Sequence, residues 1–281
     1  MRMVVLSDIH ANFVALQAVF QAVDEARPDV VVVAGDVINR GPQSRACLEA
    51  ILDRRDRLGW HVIKGNHEDY VLLVDATPMA EDSWADQLFA HTRWTRDRIR
   101  DLLPAVSALP DRLSLVSPDG SEVRFLHASM KGNRSGLYED MEEDTLSALV
   151  APAPQVLVAG HTHVPFVRRL GQTLVVNAGA AGLPFDGDPR PSFAQLDWQE
   201  GYWHACIRRV DYDRAAAERD FHTSGYLADA GLMIPLILDE LRQARPRLGL
   251  WHRLYEGPVA RGELSLAESV QLLQKSCNAV M

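Results

Sequence analysis

The chain has 281 residues and a formal net charge of −9, from 29 lysines and arginines against 38 aspartates and glutamates. Hydrophobic residues make up 47% and charged residues 24%, which excludes a disordered or collagen-like chain, and the length suits one large domain or two small ones. An acidic balance is the wrong field for long nucleic acid or an anionic membrane, but bound metal ions can reverse it locally and admit a phosphorylated substrate.

The first strand is expected at Met3–Leu6, running into Ser7-Asp8. Its apolar run is too short for a signal peptide. No stretch approaches the roughly 20 apolar residues of a membrane span, and the three cysteines, Cys47, Cys206 and Cys277, form no CxxC pair. A soluble cytoplasmic protein is expected, with the cysteines as inert packing residues. Phe13, Leu16, Val19, Phe20 and Val23 recur at helical spacing after a capping Asn12, and Pro28 follows the helix. Val30–Val33 is a continuous apolar strand of the kind buried on both faces, and it stops at Gly35-Asp36. Cys47, Leu48, Ile51 and Leu52 mark a second helix, and His61–Ile63 a third strand ending at Gly65-Asn66-His67.

Residues 75–109 read as mainly helical and carry Trp84, Phe89 and Trp94, expected as core or rim of a helical insertion. A hairpin is expected from Leu113–Val116 and Val123–Leu126 about the Pro118/Gly120 turn, its second strand leading into His127. Asp140–Val150 reads as a helix and Val156–Ala159 as a buried strand ending at Gly160-His161-Thr162-His163. Val167–Leu170 and Leu174–Val176 form another hairpin, and Phe193–Trp198 and Tyr202–Val210 complete the strands. Beyond Asp211 the pattern is helical, with Leu232–Leu241 packed against the core or against another subunit. The expected division is a catalytic part over 1–211 and a helical extension over 212–281 on the same core. Residue patterns alone give a single α/β core with this appendage, as an open sheet or as a sandwich.

Ligands in α/β sheets bind beyond the carboxyl ends of strands. Five such ends carry Asp8-Ile9-His10, Gly35-Asp36, Gly65-Asn66-His67-Glu68, His127 and Gly160-His161-Thr162-His163. Asp8, Asp36, Asn66, His10, His127, His161 and His163 make a mixed oxygen and imidazole set without thiolate, suited to manganese, iron or zinc. Seven donors exceed one tetrahedral zinc and suit two ions sharing a carboxylate. An isolated histidine is more often structural, so His61, His91, His204, His222 and His252, which sit in no cluster, are set aside.

The order DxH, GDxxNR, GNHE, a lone histidine after a strand, then GHTH resembles the calcineurin-like metallophosphoesterase family, from Asp8 to about Asn177. The resemblance implies an α/β fold of the α+β sandwich type: two mixed β-sheets flanked by helices. It implies two divalent metal ions, manganese first, with Asp8, His10 and His163 on one, Asn66, His127 and His161 on the other, and Asp36 bridging. It makes a metal-bridging hydroxide the nucleophile attacking phosphorus in line. His67 then protonates the leaving oxygen or stabilises the transition state, Arg40 binds phosphate, and Glu68 orients a histidine. Ala11 stands where relatives carry glycine, and Asn177-Ala178-Gly179-Ala180 where they read NPGS; Arg190 falls near the substrate or on a solvated turn. The expected activity is hydrolysis of a phosphate ester by a phosphodiesterase or phosphatase acting on a small phosphorylated substrate, nucleotides included. A dinucleoside polyphosphate hydrolase is the alternative, favoured by Gly35–Ser44, and a non-catalytic scaffold is a third reading. The protein is expected to be a monomer or homodimer.

Overall fold

Valine-rich runs need cover on both faces, and the computed structural model, which describes residues 1–278, supplies it by sandwiching two sheets between helices. The first part alternates β1 (Arg2–Leu6), α1 (Phe13–Ala26), β2 (Val30–Ala34), α2 (Ser44–Leu58) and β3 (His61–Ile63). The helices α3 (Asn66–Ala76), α4 (Trp84–Leu88), α5 (Ala90–Arg98) and α6 (Leu103–Ser107) follow. Then come β4 (Arg112–Val116), β5 (Glu122–Leu126), α7 (Glu143–Val150), β6 (Val156–Ala159), β7 (Phe166–Leu170), β8 (Thr173–Asn177), β9 (Ser192–Gln199) and β10 (Tyr202–Arg209). The chain ends in α8 (Arg214–Thr223), α9 (Tyr226–Asp229), α10 (Ile234–Gln243), α11 (Leu248–Ala260) and α12 (Leu266–Asn278).

One five-stranded sheet runs β10-β9-β1-β2-β3 and the other β4-β5-β6-β8-β7. In each, three neighbouring strands are parallel (β1, β2, β3 or β5, β6, β8); the antiparallel hairpin β9-β10 extends the first sheet on the β1 side, and antiparallel β4 and β7 flank the second. Alternation along β1 explains its unbroken apolar character: Met3 and Val5 face the second sheet's Val123, Phe125 and Val158, while Val4 and Leu6 face Leu16, Val19 and Leu48 of the covering helices. Asn12 caps α1 by accepting the Ala15 N–H at 3.1 Å. The single-core reading therefore resolves as the sandwich, since local patterns mark strands but do not say which strands pair. Helix α7 starts at Glu143, three residues later than the acidic run implied. Cys47 is buried as expected, but Cys206 is exposed on β10.

Trp84, Phe89 and Trp94 of the insertion pack against the C-terminal helices in an apolar cluster of their own, with the Trp94 and Tyr226 rings edge to face at 4.7 Å. Helices of the extension thus cover the insertion and reach the motif-bearing edge of the sandwich. No helix among the described residues is long and apolar enough to cross a membrane.

Two pairs of loops approach each other so closely that only glycine fits. A Cβ at Gly160 would collide with Ser7 Oγ and Asp8 Oδ2, and one at Gly65 with Asp36 Oδ1. Gly160→Ala is expected to destabilise the fold by about 1–3 kcal/mol through overpacking, read by chemical denaturation. It should also weaken metal binding, because the displaced group is Asp8.

Candidate metal centre

The loops after β1 and β2 run side by side, joined by backbone hydrogen bonds from Asp8 N to Gly35 O, His10 N to Asp36 O and Ala11 N to Val37 O, at 3.0–3.1 Å. These loops take left-handed backbone at residues that are not glycine, Asp8 (φ 55°), His10 (47°), Ala11 (55°) and Asp36 (55°), and the loop after β6 does the same at His161 (68°) and His163 (59°). Such conformations cost of order 1–3 kcal/mol each and persist where the surroundings over-determine them. The strain at Ala11 shows why a glycine would suit that position.

Asp8, His10, Asp36, Asn66, His127, His161 and His163 converge at this edge, all buried but the half-buried His161. His10 Nε2 lies 3.1 Å from His163 Nε2, and His163 Nε2 is 3.3 Å from Asp8 Oδ1. On the other side, Asn66 Oδ1 is 2.9 Å from both His127 Nε2 and His161 Nδ1. Asp36 lies between: its Oδ2 is 3.5 Å from His10 Nε2 and 3.3 Å from His127 Nε2. Donor atoms of Asp8, His10 and His163, and of Asp8, Asp36 and His127, fall within 4.8 Å of one another, as do those of His10, Asp36 and His67.

The rings are oriented from behind. His127 Nδ1 donates to the Ala34 carbonyl at 2.8 Å, and His163 Nδ1 donates to the Leu183 carbonyl while its ring stacks on Phe185. Each bond leaves the Nε2 lone pair pointing into the cluster, the arrangement a metal-binding histidine needs. Asp8 Oδ1 and His10 Nδ1 are buried without hydrogen-bond partners. Orphaned buried groups of this kind are costly unless something else satisfies them; a divalent cation among these donors would satisfy Asp8 Oδ1, which faces His163 Nε2, whereas His10 Nδ1 points away from the cluster that its Nε2 faces. The residues present therefore fit metal.

Electrostatics point the same way. Burial alone would raise the Asp36 carboxyl, but His127, His67 and His10 hold it well below the usual carboxylate range. Burial opposes charge on His127, yet Asp36 outweighs it and the ring is pushed up to about 10. His161 is pushed down to about 4 by burial and by the neighbouring His127, and burial also lowers His10. A proton on His127 here occupies the place a cation would take.

His67 sits edge-on to His10 at 4.8 Å between ring centres. Asn39 Oδ1 accepts the Arg40 N–H at 3.0 Å, which orients the amide so that Nδ2 donates to His67 Nδ1 at 3.1 Å. The proton of His67 is then on Nε2, and burial holds the ring neutral. Glu68 does not touch the His67 ring. It accepts the backbone N–H groups of Asp36, Val37 and Gly65 at 2.7–2.8 Å, clamping the two loops together, and burial with the nearby Asp36 pushes it up to about 7. That corrects its expected role. Arg190 pairs with Asp188 on an exposed turn, the solvated alternative.

Arg40 is buried beside the cluster, and its Nη2 donates to Glu240 of α10, which no motif marks. Glu240 Oε1 also accepts the Arg247 and Leu248 N–H groups at 2.7 and 2.8 Å, capping α11.

A family model for the calcineurin-like phosphoesterase superfamily domain matches residues 1–201. The chain belongs to this family. Among curated relatives, the uncharacterized protein MJ0912 of Methanocaldococcus jannaschii is 26% identical over 227 residues, covering 74% of this chain and 87% of that protein. Phosphodiesterase YfcE of Escherichia coli is 24% identical over 203 residues, covering 70% and 88%. The crystal structure of a metallophosphoesterase from Sphaerobacter thermophilus matches with a TM-score of 0.68 at 24% identity over 87% of this chain and 99% of that one. The hypothetical protein PH1004 from Pyrococcus horikoshii matches with a TM-score of 0.72 at 18% identity over 86% and 98%. At these identities the structural likeness is one of fold. Within this family's fold, the chain brings candidate metal-binding groups of aspartate and histidine together at its own strand ends.

His91 and His252, which sit in no sequence cluster, both line a cavity beside His67. They lie in helices, away from any strand-end motif, so no local signal marked them. Glu240→Ala is expected to lower stability by about 3–5 kcal/mol, because it leaves Arg40 buried without its partner. Glu240→Gln keeps an acceptor for the α11 cap and should lose less; thermal and urea denaturation of both variants check this.

Proposed function

We propose that this phosphoesterase-family chain is a hydrolase of phosphate esters that works with two divalent ions, manganese first among the candidates, on a small phosphorylated substrate. The observation that carries the reading is the position of Asp36 Oδ2, within 3.5 Å of one imidazole from each of the two donor groups. Asp8, His10 and His163 would hold one ion, Asn66, His127 and His161 the other, and Asp36 both. When bound, the ions supply Lewis-acid activation of a water and neutralise charge on the phosphoryl oxygens.

The chain's own residues do the rest. His67, neutral and with its proton on Nε2, donates a hydrogen bond to the leaving oxygen as negative charge grows there. An imidazolium acid is disfavoured, because Nδ1 already accepts from Asn39. Arg40, anchored through one arm by Glu240, presents its planar guanidinium to a phosphoryl oxygen. Glu68 keeps the loops bearing Asp36 and Asn66 in register.

Reconstitution with manganese, metal analysis on the same sample and hydrolysis of bis-p-nitrophenyl phosphate beside p-nitrophenyl phosphate test the proposal. Two ions per chain with turnover of either ester are expected, the preference separating diesterase from phosphatase. Asp36→Asn should abolish paired metal binding. His67→Ala should keep both ions and lower kcat by about 10²-fold. An unmodified chain that binds no metal and hydrolyses neither ester contradicts the reading.

A further inference from the structure

Between the metal cluster and the first turn of α11 lies a cavity of about 220 Å³. Its floor is Asn66, His67, His161 and Arg40, so whatever enters it reaches the reacting end of the site. Its walls are Tyr70, Phe89 and His91 on one side and Leu248, Gly249 and His252 of the extension on the other. Tyr70 lies edge to face with both His67 and Phe89, at 5.3 and 5.8 Å between ring centres, which fixes the aromatic wall. The opposite wall is fixed by Glu240, whose one carboxylate holds both Arg40 and the first N–H groups of α11. His91 is buried with its Nδ1 unpartnered, and Arg40 Nε is unpartnered too. The cavity thus combines flat aromatic and apolar surface with a polar floor.

We propose that this cavity receives the alcohol part of the phosphate ester and is sized for a single ring, so that the C-terminal extension sets the enzyme's substrate range. The inference rests on the hydrolase reading for the orientation of the ester, phosphorus over the metal donors and alcohol towards α11. Size decides the class. A cavity of about 150 Å³ holds benzene, whereas drug-sized ligands take about 300–1,000 Å³. At about 220 Å³ the enclosed part of this open cleft has room for one substituted ring, and a nucleoside or a dinucleoside polyphosphate would extend beyond it into solvent.

Calorimetry on the manganese-loaded protein tests this with phenylphosphonate, whose P–C bond is not hydrolysed, against inorganic phosphate and adenosine 5′-monophosphate. Wild type should bind phenylphosphonate about tenfold more tightly than phosphate, and adenosine monophosphate no more tightly than phosphate. A Cβ at Gly249 meets only Pro246 Cβ at 3.9 Å, so Gly249→Leu should fold while narrowing the cavity. It should weaken phenylphosphonate about tenfold and leave phosphate within about twofold. His252→Trp, at the more exposed rim, gives a second narrowing variant. An unchanged ratio of phenylphosphonate to phosphate in both variants, or tighter binding of the nucleotide than of phenylphosphonate in wild type, overturns the proposal. Ring-selective binding without turnover of either phenyl phosphate or bis-p-nitrophenyl phosphate supports the cavity and overturns the hydrolase reading. Turnover with an unchanged ratio does the reverse.

Discussion

Asp36 is a carboxylate buried at the junction of two sheets, and burying an uncompensated charge is among the most costly things a fold can do. Its neighbours are arranged to meet that cost: His10 and His127 from opposite sides, the His67 backbone N–H on Oδ1 at 2.9 Å, and Glu68 drawing the flanking N–H groups inward. Asp8 repeats the pattern one strand away. Its Oδ2 accepts the His161 N–H at 2.8 Å while Oδ1 is left for something the protein does not supply. Imidazoles alone do not neutralise two buried carboxylates once the rings deprotonate, so the centre makes physical sense as a place for cations. The left-handed residues and the glycine contacts follow from bringing five strand ends to one point.

A second buried charge connects this centre to the rest of the chain. Arg40 leaves the β2 loop and meets Glu240 some two hundred residues on, and that carboxylate also starts α11. The extension is therefore tied to the motif-bearing loop by an interaction that tolerates neither partner alone. The apolar packing of Trp94 on Tyr226 supplies area to the same junction, and the Arg40–Glu240 pair supplies its register.

Much of the site was legible in the sequence because its signals are local. A strand that runs straight into a short polar cluster announces both a sheet edge and a donor within a few residues, and Asp8, His10, Asp36, Asn66, His127, His161 and His163 all carry that mark. What sequence reasoning missed depends on pairing across long separations. Whether β5 and β6 extend the first sheet or start a second depends on contacts such as Met3 with Val123, which no window of ten residues contains. Glu240 looks like any charged residue in an amphipathic helix until α10 is packed against Arg40. His91 and His252 carry no motif, and they acquire meaning only when α5 and α11 face each other across the cavity. Glu68 serves the backbone and not a ring, because the spacing of a motif shows which residues are near and not which atoms they meet.

The central expectation is that the buried carboxylates share two cations. Anomalous diffraction at the manganese edge from crystals of the manganese-loaded protein measures this directly. Two peaks about 3.5–4 Å apart, one beside Asp8, His10 and His163, the other beside Asn66, His127 and His161, with Asp36 between them, are expected. A single peak, or two peaks away from Asp36, would contradict it.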